Sequence, residues 1–433
     1  MATIKPFRAW RYSPVYAAQI DELTSPLFDV VSDRQREILY ERPYNSIHLS
    51  VPKGENASDQ AAELLSKWKK DGVIIQDKLP SIYVYFQHFS LAGSDKTYCR
   101  KGFICNFQIA DWDEKIILRH ESTMPFSVDD RMNLLSKTQL NVSPTHGLYT
   151  DTSKEIEKYL DESMNAPLYE SEDYQGVRDV LAVIHDVAII KRIQEIISQG
   201  QVILADGHHR YEGSLNYKKT SQAENPHHTG SEGYNYHMMY FTNTESEDLR
   251  ILPTHRMVRG LEDFSEAELM KALDEDFIIK PMANAQDINE VILGKQWAFG
   301  LLVGDNAYKI RLKPEKIDDI PWKFPVAIKT LDLTVMHYFI FEKILKIKGK
   351  DQVNARNITF QRNFTECLRE VMKGNAQFAV ITKDISIDTV KSVCASGYTM
   401  PQKSTYFYPK VISGFVFSSI DENEFYSPFD SCF

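Results

Sequence analysis

Residues 206–210 read Asp-Gly-His-His-Arg, gathering a carboxylate, two imidazoles and a guanidinium around one glycine. Val202, Ile203, Leu204 and Ala205 precede them, an apolar run with no helical period that ends in the Asp206-Gly207 turn signal, which predicts a short buried strand. From Arg210 onward the spacing of Tyr211, Leu215 and Lys218 suits a helix. The polar residues therefore sit where a strand hands over to a helix N-terminus. Such a place attracts anions, because the first backbone N–H groups and the positive end of the helix dipole point at it, and Arg210 can add a two-pronged grip on phosphate oxygens.

Three further sites carry chemistry. His120-Glu121 follows a predicted strand ending at Arg119 and precedes a helical segment, a junction where a glutamate can act as general base. The residue four positions after His120 is Met124, so the second histidine of a helical zinc-protease motif is missing. Lys403-Ser404-Thr405 offers an ammonium, two hydroxyls and consecutive backbone N–H groups that suit phosphate oxygens, but no Gly-x-x-x-x-Gly-Lys precedes it and it is not a P-loop. His255-Arg256 is a second His-Arg pair after a strand. His227 and His228 lie in a polar stretch, 219–233, that reads as an exposed loop, with no cysteine or carboxylate at useful metal spacing.

The elements that must position these groups fit a chain of 433 residues, long enough for two or three domains. With 43% hydrophobic and 25% charged residues, 23 Phe and 22 Tyr, the composition is that of a folded globular protein. A net charge of −10 and the lack of a basic stripe argue against nucleic acid or an anionic membrane as partner, so phosphate must be bound by a local site. Five scattered cysteines without a Cys-x-x-Cys pair fit a reducing compartment. With no signal-peptide pattern and no long apolar run, a cytoplasmic location is expected.

Ala61, Leu64, Leu65 and Trp68 predict a helix over 59–71 stopped by Gly72, and a capping Ser32 predicts a helix after an extended segment at 25–32. Strands are expected at 82–89 and 102–109, helices from 154 and over 180–197, and a strand at 234–242. Beyond 263, helices at 264–274, 286–294, 331–346, 364–373 and 387–395 alternate with strands at 277–280, 297–303, 307–313 and 377–382. The expected class is α/β with mixed sheets, divided into an N-terminal α/β region (1–112), a catalytic core (113–248) and a C-terminal α/β region (249–433) that contributes Lys403, Ser404 and Thr405 to the site.

The order of His120-Glu121, Asp206-Gly207-His208-His209-Arg210 and Pro401-x-Lys403-Ser404-Thr405 resembles that in the archaeal free serine kinases, whose core is similar to the ParB/sulfiredoxin fold. The whole chain resembles a bacterial family known as domain of unknown function 1015 through Phe28-Asp29-Val30-Val31, Pro43-Tyr44, His120-Glu121-x-Thr123, Asp130-Arg131, Leu252-Pro253-Thr254-His255-Arg256 and Lys403-Ser404-Thr405-Tyr406. The resemblance implies a ParB/sulfiredoxin-like core and a phosphotransferase interconverting L-serine and O-phospho-L-serine, with pyrophosphate as donor and ATP or ADP as second choice. It assigns Glu121 as base beside His120. His208, His209 and Arg210 hold the donor's phosphates, and Asp206 holds Mg²⁺ or fixes the turn. Lys403, Ser404 and Thr405 close over phosphate, and Arg131, His255 and Arg256 are additional candidates. Mg²⁺ is expected because the donor carries more negative charge than one Arg and one Lys balance. The rival readings are a phosphoserine phosphatase, a ParB-like nucleotide-binding module without catalysis, and a metal hydrolase built from His120, Glu121, His208 and His209.

Overall fold

The computed structural model describes residues 1–27, 31–91, 94–173, 175–401 and 403–433; Phe28, Asp29 and Val30 of the family-like motif and Gln402 of the late segment lie outside the described residues. The chain forms two compact units. The first comprises residues 1–119, 123–250 and 409–433, and the second residues 120–122 and 251–408. Residues from 1–112 and 113–248, separate regions in the sequence reading, contribute strands to one sheet of the first unit.

That sheet has nine strands among the described residues. Its path runs Ile117–Arg119, Val202–Asp206, Thr145–Tyr149, Tyr236–Asn243, Thr97–Gln108, Ile82–Ser90, Arg178–Ile184, Tyr169–Glu172, with Ile4–Lys5 added beside Thr97–Gln108. Its long strands are apolar on both faces, as a sheet covered on both sides requires. Val84, Phe86, Phe103, Cys105, Phe107, Met239 and Phe241 enter one core with Ile190, Ile193 and Ile197 of the Val187–Ser198 helix and Tyr211 and Leu215 of the His208–Glu224 helix. The alternate residues Tyr83, Tyr85, Ile104, Met238 and Tyr240 enter a second core with Ala61, Leu65 and Trp68 of the Ala57–Lys70 helix. Period-two alternation of the strands thus meets the helical stripes that the sequence displays.

The second unit carries a six-stranded sheet in the order Phe277–Met282, Asn306–Leu312, Ala298–Val303, Phe378–Ile381, His255–Val258, Ile358–Gln361. Its two faces alternate likewise. Phe299, Leu301, Phe378 and Val380 fall in one core, and Ala298, Leu302, Ala379 and Ile381 in the other.

The mixed α/β class expected from the sequence is observed in both units, with local corrections. Residues 180–184 belong to a strand, Arg178–Ile184, instead of the start of a helix; Val180, Val183 and Ile184 are β-branched, and Asp186 then caps the real helix by accepting from the N–H groups of Ala188 and Ile189. The helix after the Asp-Gly turn starts at His208 and continues to Glu224, shortening the expected loop. Ser32 caps the Asp33–Tyr40 helix in a capping box with Gln35, as expected. The expected 331–346 helix begins as Asp332–Val335 and widens to a π-helix over Met336–Ile344. Among the described residues no helix is long and apolar enough to cross a membrane.

Candidate functional site

In the first unit the Val202–Asp206 strand pairs in parallel with Ile117–Arg119 and antiparallel with Thr145–Tyr149. The antiparallel register shifts between Leu204 and Asp206, and Asp206 lies opposite His146. Such a bulge re-aims the side chain at a strand end. The chain then turns through Gly207 at φ 87° into the His208–Glu224 helix. A Cβ at Gly207 would lie 2.6 Å from Thr145 Cγ2 and 2.9 Å from an Arg210 guanidinium nitrogen, so both the positive φ and the crowding demand glycine. Gly207 offers the helix no side-chain cap.

Asp206 is wedged between two cations. The Lys410 ammonium donates to Oδ1, and Arg210 reaches Oδ2 at 3.2 Å. Burial alone would raise the Asp206 pKa, but Lys410 and Arg210 hold the carboxyl well below the usual carboxylate range. Arg210 is buried and also donates to Pro144 O at 2.6 Å and to the Ser143 hydroxyl at 3.1 Å, which fixes its plane. His146 is buried with Nε2 2.7 Å from the Thr242 hydroxyl; burial, then Arg100, pushes its pKa well below the ordinary histidine value, so it is neutral here.

His208, the first helical residue, is buried. His209 Nε2 accepts from the Met124 backbone N–H at 3.0 Å, which requires this nitrogen to carry the lone pair. Glu212, on the next turn, accepts from the Thr123 hydroxyl at 2.6 Å and lies 3.6 Å from Arg119. Arg131 also belongs to this unit, where it bonds Asp130 and donates to Ser50 O at 2.7 Å.

His120, Glu121, Lys403, Ser404, Thr405, His255 and Arg256 fall in the second unit. Glu121 Oε1 accepts three hydrogen bonds, from the backbone N–H of Ser404 at 3.1 Å, the backbone N–H of Thr405 at 2.9 Å and the Thr405 hydroxyl at 2.9 Å. The same hydroxyl is 2.8 Å from His120 Nε2, so Thr405 links the two halves of the His-Glu pair. The backbone is clamped as well: Met400 N–H donates to His120 O at 2.7 Å. The two N–H groups expected to face phosphate therefore serve Glu121, while the Ser404 hydroxyl is spent on Pro401 O at 2.5 Å. Lys403 is exposed at φ 58°.

Arg256 is fully buried and donates to Thr254 O; burial lowers its pKa to about 10, against the opposing pull of Glu121. His255 accepts from the Thr382 backbone N–H at 3.2 Å, and burial followed by Arg256 lowers its pKa to about 4. Both are buried in the sheet on which they sit, and Arg256 also reaches Lys403 O at 3.4 Å.

Sequence reasoning did not find Lys410, since a lysine after Tyr406-Phe407-Tyr408-Pro409 carries no local sign of a carboxylate partner 204 residues away. It placed Asp206 as a metal ligand or as the brace of the turn, and the ion pairs on both of its oxygens suit the second role. Each Asp206 oxygen already accepts from one cation, Lys410 on Oδ1 and Arg210 on Oδ2. Among the described residues no group of three or more His, Cys, Asp or Glu side chains is placed to hold a metal ion without the help of a substrate.

Residues 4–334 match the profile of the family described as "Protein of unknown function (DUF1015)". The chain belongs to that family. Comparison with curated proteins finds no match. Among solved structures the chain is similar to a conserved hypothetical protein from Pyrococcus furiosus, at 11% identity and a TM-score of 0.35 over 71% of this chain and 94% of that one. It is also similar to a free serine kinase in complex with AMP, at 12% identity and 0.35 over 70% and 89%. SbnI from Staphylococcus aureus with a C-terminal truncation matches at 11% and 0.33 over 70% and 84%.

Proposed function

We propose that the protein is a phosphotransferase that interconverts free L-serine and O-phospho-L-serine, with pyrophosphate as the preferred donor and ATP or ADP as the second choice. The observation that carries this is the Asp206–Arg210 turn: a bulged strand end, a glycine at positive φ, and an arginine and a lysine braced by one carboxylate beside the start of a long helix. Phosphoryl transfer asks a protein mainly for positioning and charge neutralisation. A rigid cationic turn at a helix N-terminus supplies both.

In this reaction the serine hydroxyl oxygen attacks the terminal phosphorus of the donor, the bridging P–O bond breaks, and the leaving phosphate or nucleotide keeps the bond's electrons. The hydroxyl proton goes to Glu121, whose Oε1 is held by Ser404 and Thr405 so that the carboxylate keeps one orientation. His208, His209 and Arg210 bind the donor's phosphates, with Asp206 and Lys410 keeping Arg210 in place. Mg²⁺ belongs to the proposal as the counter-charge of the phosphate donor. The cytoplasm is the proposed location.

A test separates this from a phosphatase. Phosphoserine is supplied with Mg²⁺, with and without inorganic phosphate, and serine and pyrophosphate are measured. Serine formed only with phosphate present, accompanied by pyrophosphate, is the expected result. Hydrolysis that ignores added phosphate would make the protein a phosphatase, and no reaction, either with phosphate or with AMP or ADP in its place, would leave a binding module.

A further inference from the structure

A small cavity of about 40 Å³ in the first unit is lined by Ser50, Arg131, Asn141, Ser143, Arg210 and His237, among others. Three of these present buried polar atoms with no hydrogen-bond partner among the described residues: Ser50 Oγ, Asn141 Nδ2 and His237 Nε2. Ser50 and Asn141 are each 5% exposed and His237 is 2% exposed. Buried polar groups are normally satisfied, so three orphans on residues that line one cavity point to a missing occupant.

The character of these atoms defines that occupant. Asn141 Nδ2 is a donor, and the Ser50 hydroxyl can donate. His237 Nδ1 lies 2.8 Å from the Ser214 hydroxyl, and with that hydroxyl donating, the ring hydrogen sits on Nε2. Burial, with a further contribution from Arg210, lowers the His237 pKa to about 3, so the ring is neutral and serves as a hydrogen-bond donor, not a cation. Arg131 donates to Ser50 O at 2.7 Å and pairs with Asp130, and Arg210 is held by Pro144 O, Ser143 Oγ and Asp206, so two of the lining residues carry guanidinium groups with fixed positions. Donors beside fixed cations suit an oxyanion. One water needs roughly 10–15 Å³, so a cavity of about 40 Å³ encloses the two oxygens of a carboxylate, whereas a phosphate would stand partly outside it.

We infer that this cavity is a carboxylate-binding subsite, and that it receives the carboxylate of the amino-acid substrate. The second half of the inference rests on the function proposed above. Arg210 would then join the two ends of the reaction, holding the phosphate turn on one side and the acceptor's carboxylate pocket on the other.

The test has two arms. In the first, thermal unfolding of the full chain is followed with sodium formate, sodium phosphate or sodium chloride at equal ionic strength, for the wild type, Asn141→Leu and Ser50→Ala. Formate is expected to raise Tm of the wild type beyond the chloride value, and this rise is expected to be lost in both variants, whereas any rise with phosphate, which binds at the proposed phosphate turn, is expected to survive in both. Ser50→Ala removes only one hydroxyl and stays interpretable if Asn141→Leu does not fold. A formate response no larger than that of chloride means water fills the cavity and overturns the subsite, and a phosphate response that is lost in both variants overturns the carboxylate assignment. In the second arm, L-serine is compared with L-serinamide as phosphoryl acceptor, and serinamide is expected to lose at least about a hundredfold in kcat/KM. Equal use of both overturns the substrate half while the kinase reading stands. Specific formate binding without turnover of serine keeps the subsite and removes the kinase reading.

Discussion

Asp206 is the residue on which the proposed phosphate turn depends, and its replacement by asparagine has a calculable consequence. At the 3.2 Å separation from Arg210, the gross attraction at an effective dielectric constant of 20 is about 5 kcal/mol. Most of that is offset by desolvation, because the Asp206, Arg210 and Lys410 side chains are only 13%, 8% and 10% exposed. Removing the carboxylate alone leaves two desolvated cations facing each other, and breaking a buried pair in this way costs about 3–5 kcal/mol. Lys410→Met relieves part of that repulsion. Urea unfolding of Asp206→Asn, Lys410→Met and the double variant is expected to give a coupling energy of about 1–3 kcal/mol, the double variant being more stable than the sum of the single effects predicts. The pH dependence has a definite sign. The folded pKa of Asp206 is depressed, so its stabilising contribution is present above the unfolded value of about 3.9 and is lost as pH falls through the folded value. Asp206→Asn should therefore flatten the acid limb of the stability profile. Additivity within about 0.5 kcal/mol, with an unchanged acid limb, would refute the bracing role.

Gly207→Ala combines a left-handed backbone with a 2.6 Å approach to Thr145 Cγ2 and should cost more than about 2 kcal/mol; adding Thr145→Ser should recover the Thr145 part of the steric cost and leave the backbone share and the Arg210 contact, both read from thermal unfolding. Burial pushes the Asp179 carboxyl up to about 7 against the hydrogen bonds from Tyr85 and Gln87. Since the folded pKa is the raised one, stability should decline as pH rises from about 4 to about 7, and Asp179→Asn should gain up to about 4 kcal/mol at pH 8 in urea titrations. Thr405→Val removes the hydroxyl shared by His120 and Glu121 and should slow phosphoserine formation by roughly 10- to 100-fold without unfolding the protein, as judged by circular dichroism and turnover on the same sample.

What the sequence disclosed follows from the range of the forces involved. The strand into Asp206, the glycine turn and the helix beyond it are encoded locally, by an apolar run, a residue that tolerates positive φ and a stripe at Tyr211 and Leu215, and they were legible. Residues 180–184 misled because Val180, Leu181 and Val183 fit a helical stripe in isolation; pairing with residues 82–86 decides for a strand, and that pairing is not local. The site was half legible for the same reason. The types at 120–121, 206–210 and 403–405 suggest a site for phosphate, but that Lys410 braces Asp206, and that Ser404 and Thr405 turn their N–H groups to Glu121, depends on contacts between residues more than 200 positions apart. Asn141, Ser50 and His237 carry no pattern at all in the sequence, and only their shared cavity draws attention to them.

The central claim is transfer of a phosphoryl group to free serine, and the most direct measurement is mass spectrometry for phosphoserine after incubating the purified protein with L-serine, Mg²⁺ and, in separate reactions, pyrophosphate, ATP and ADP, with Glu121→Gln as control. Phosphoserine from at least one donor, reduced by a factor of about 10² to 10⁴ in Glu121→Gln, is the predicted result. Phosphoserine from none of the three donors, with a folded and pure protein, would contradict it.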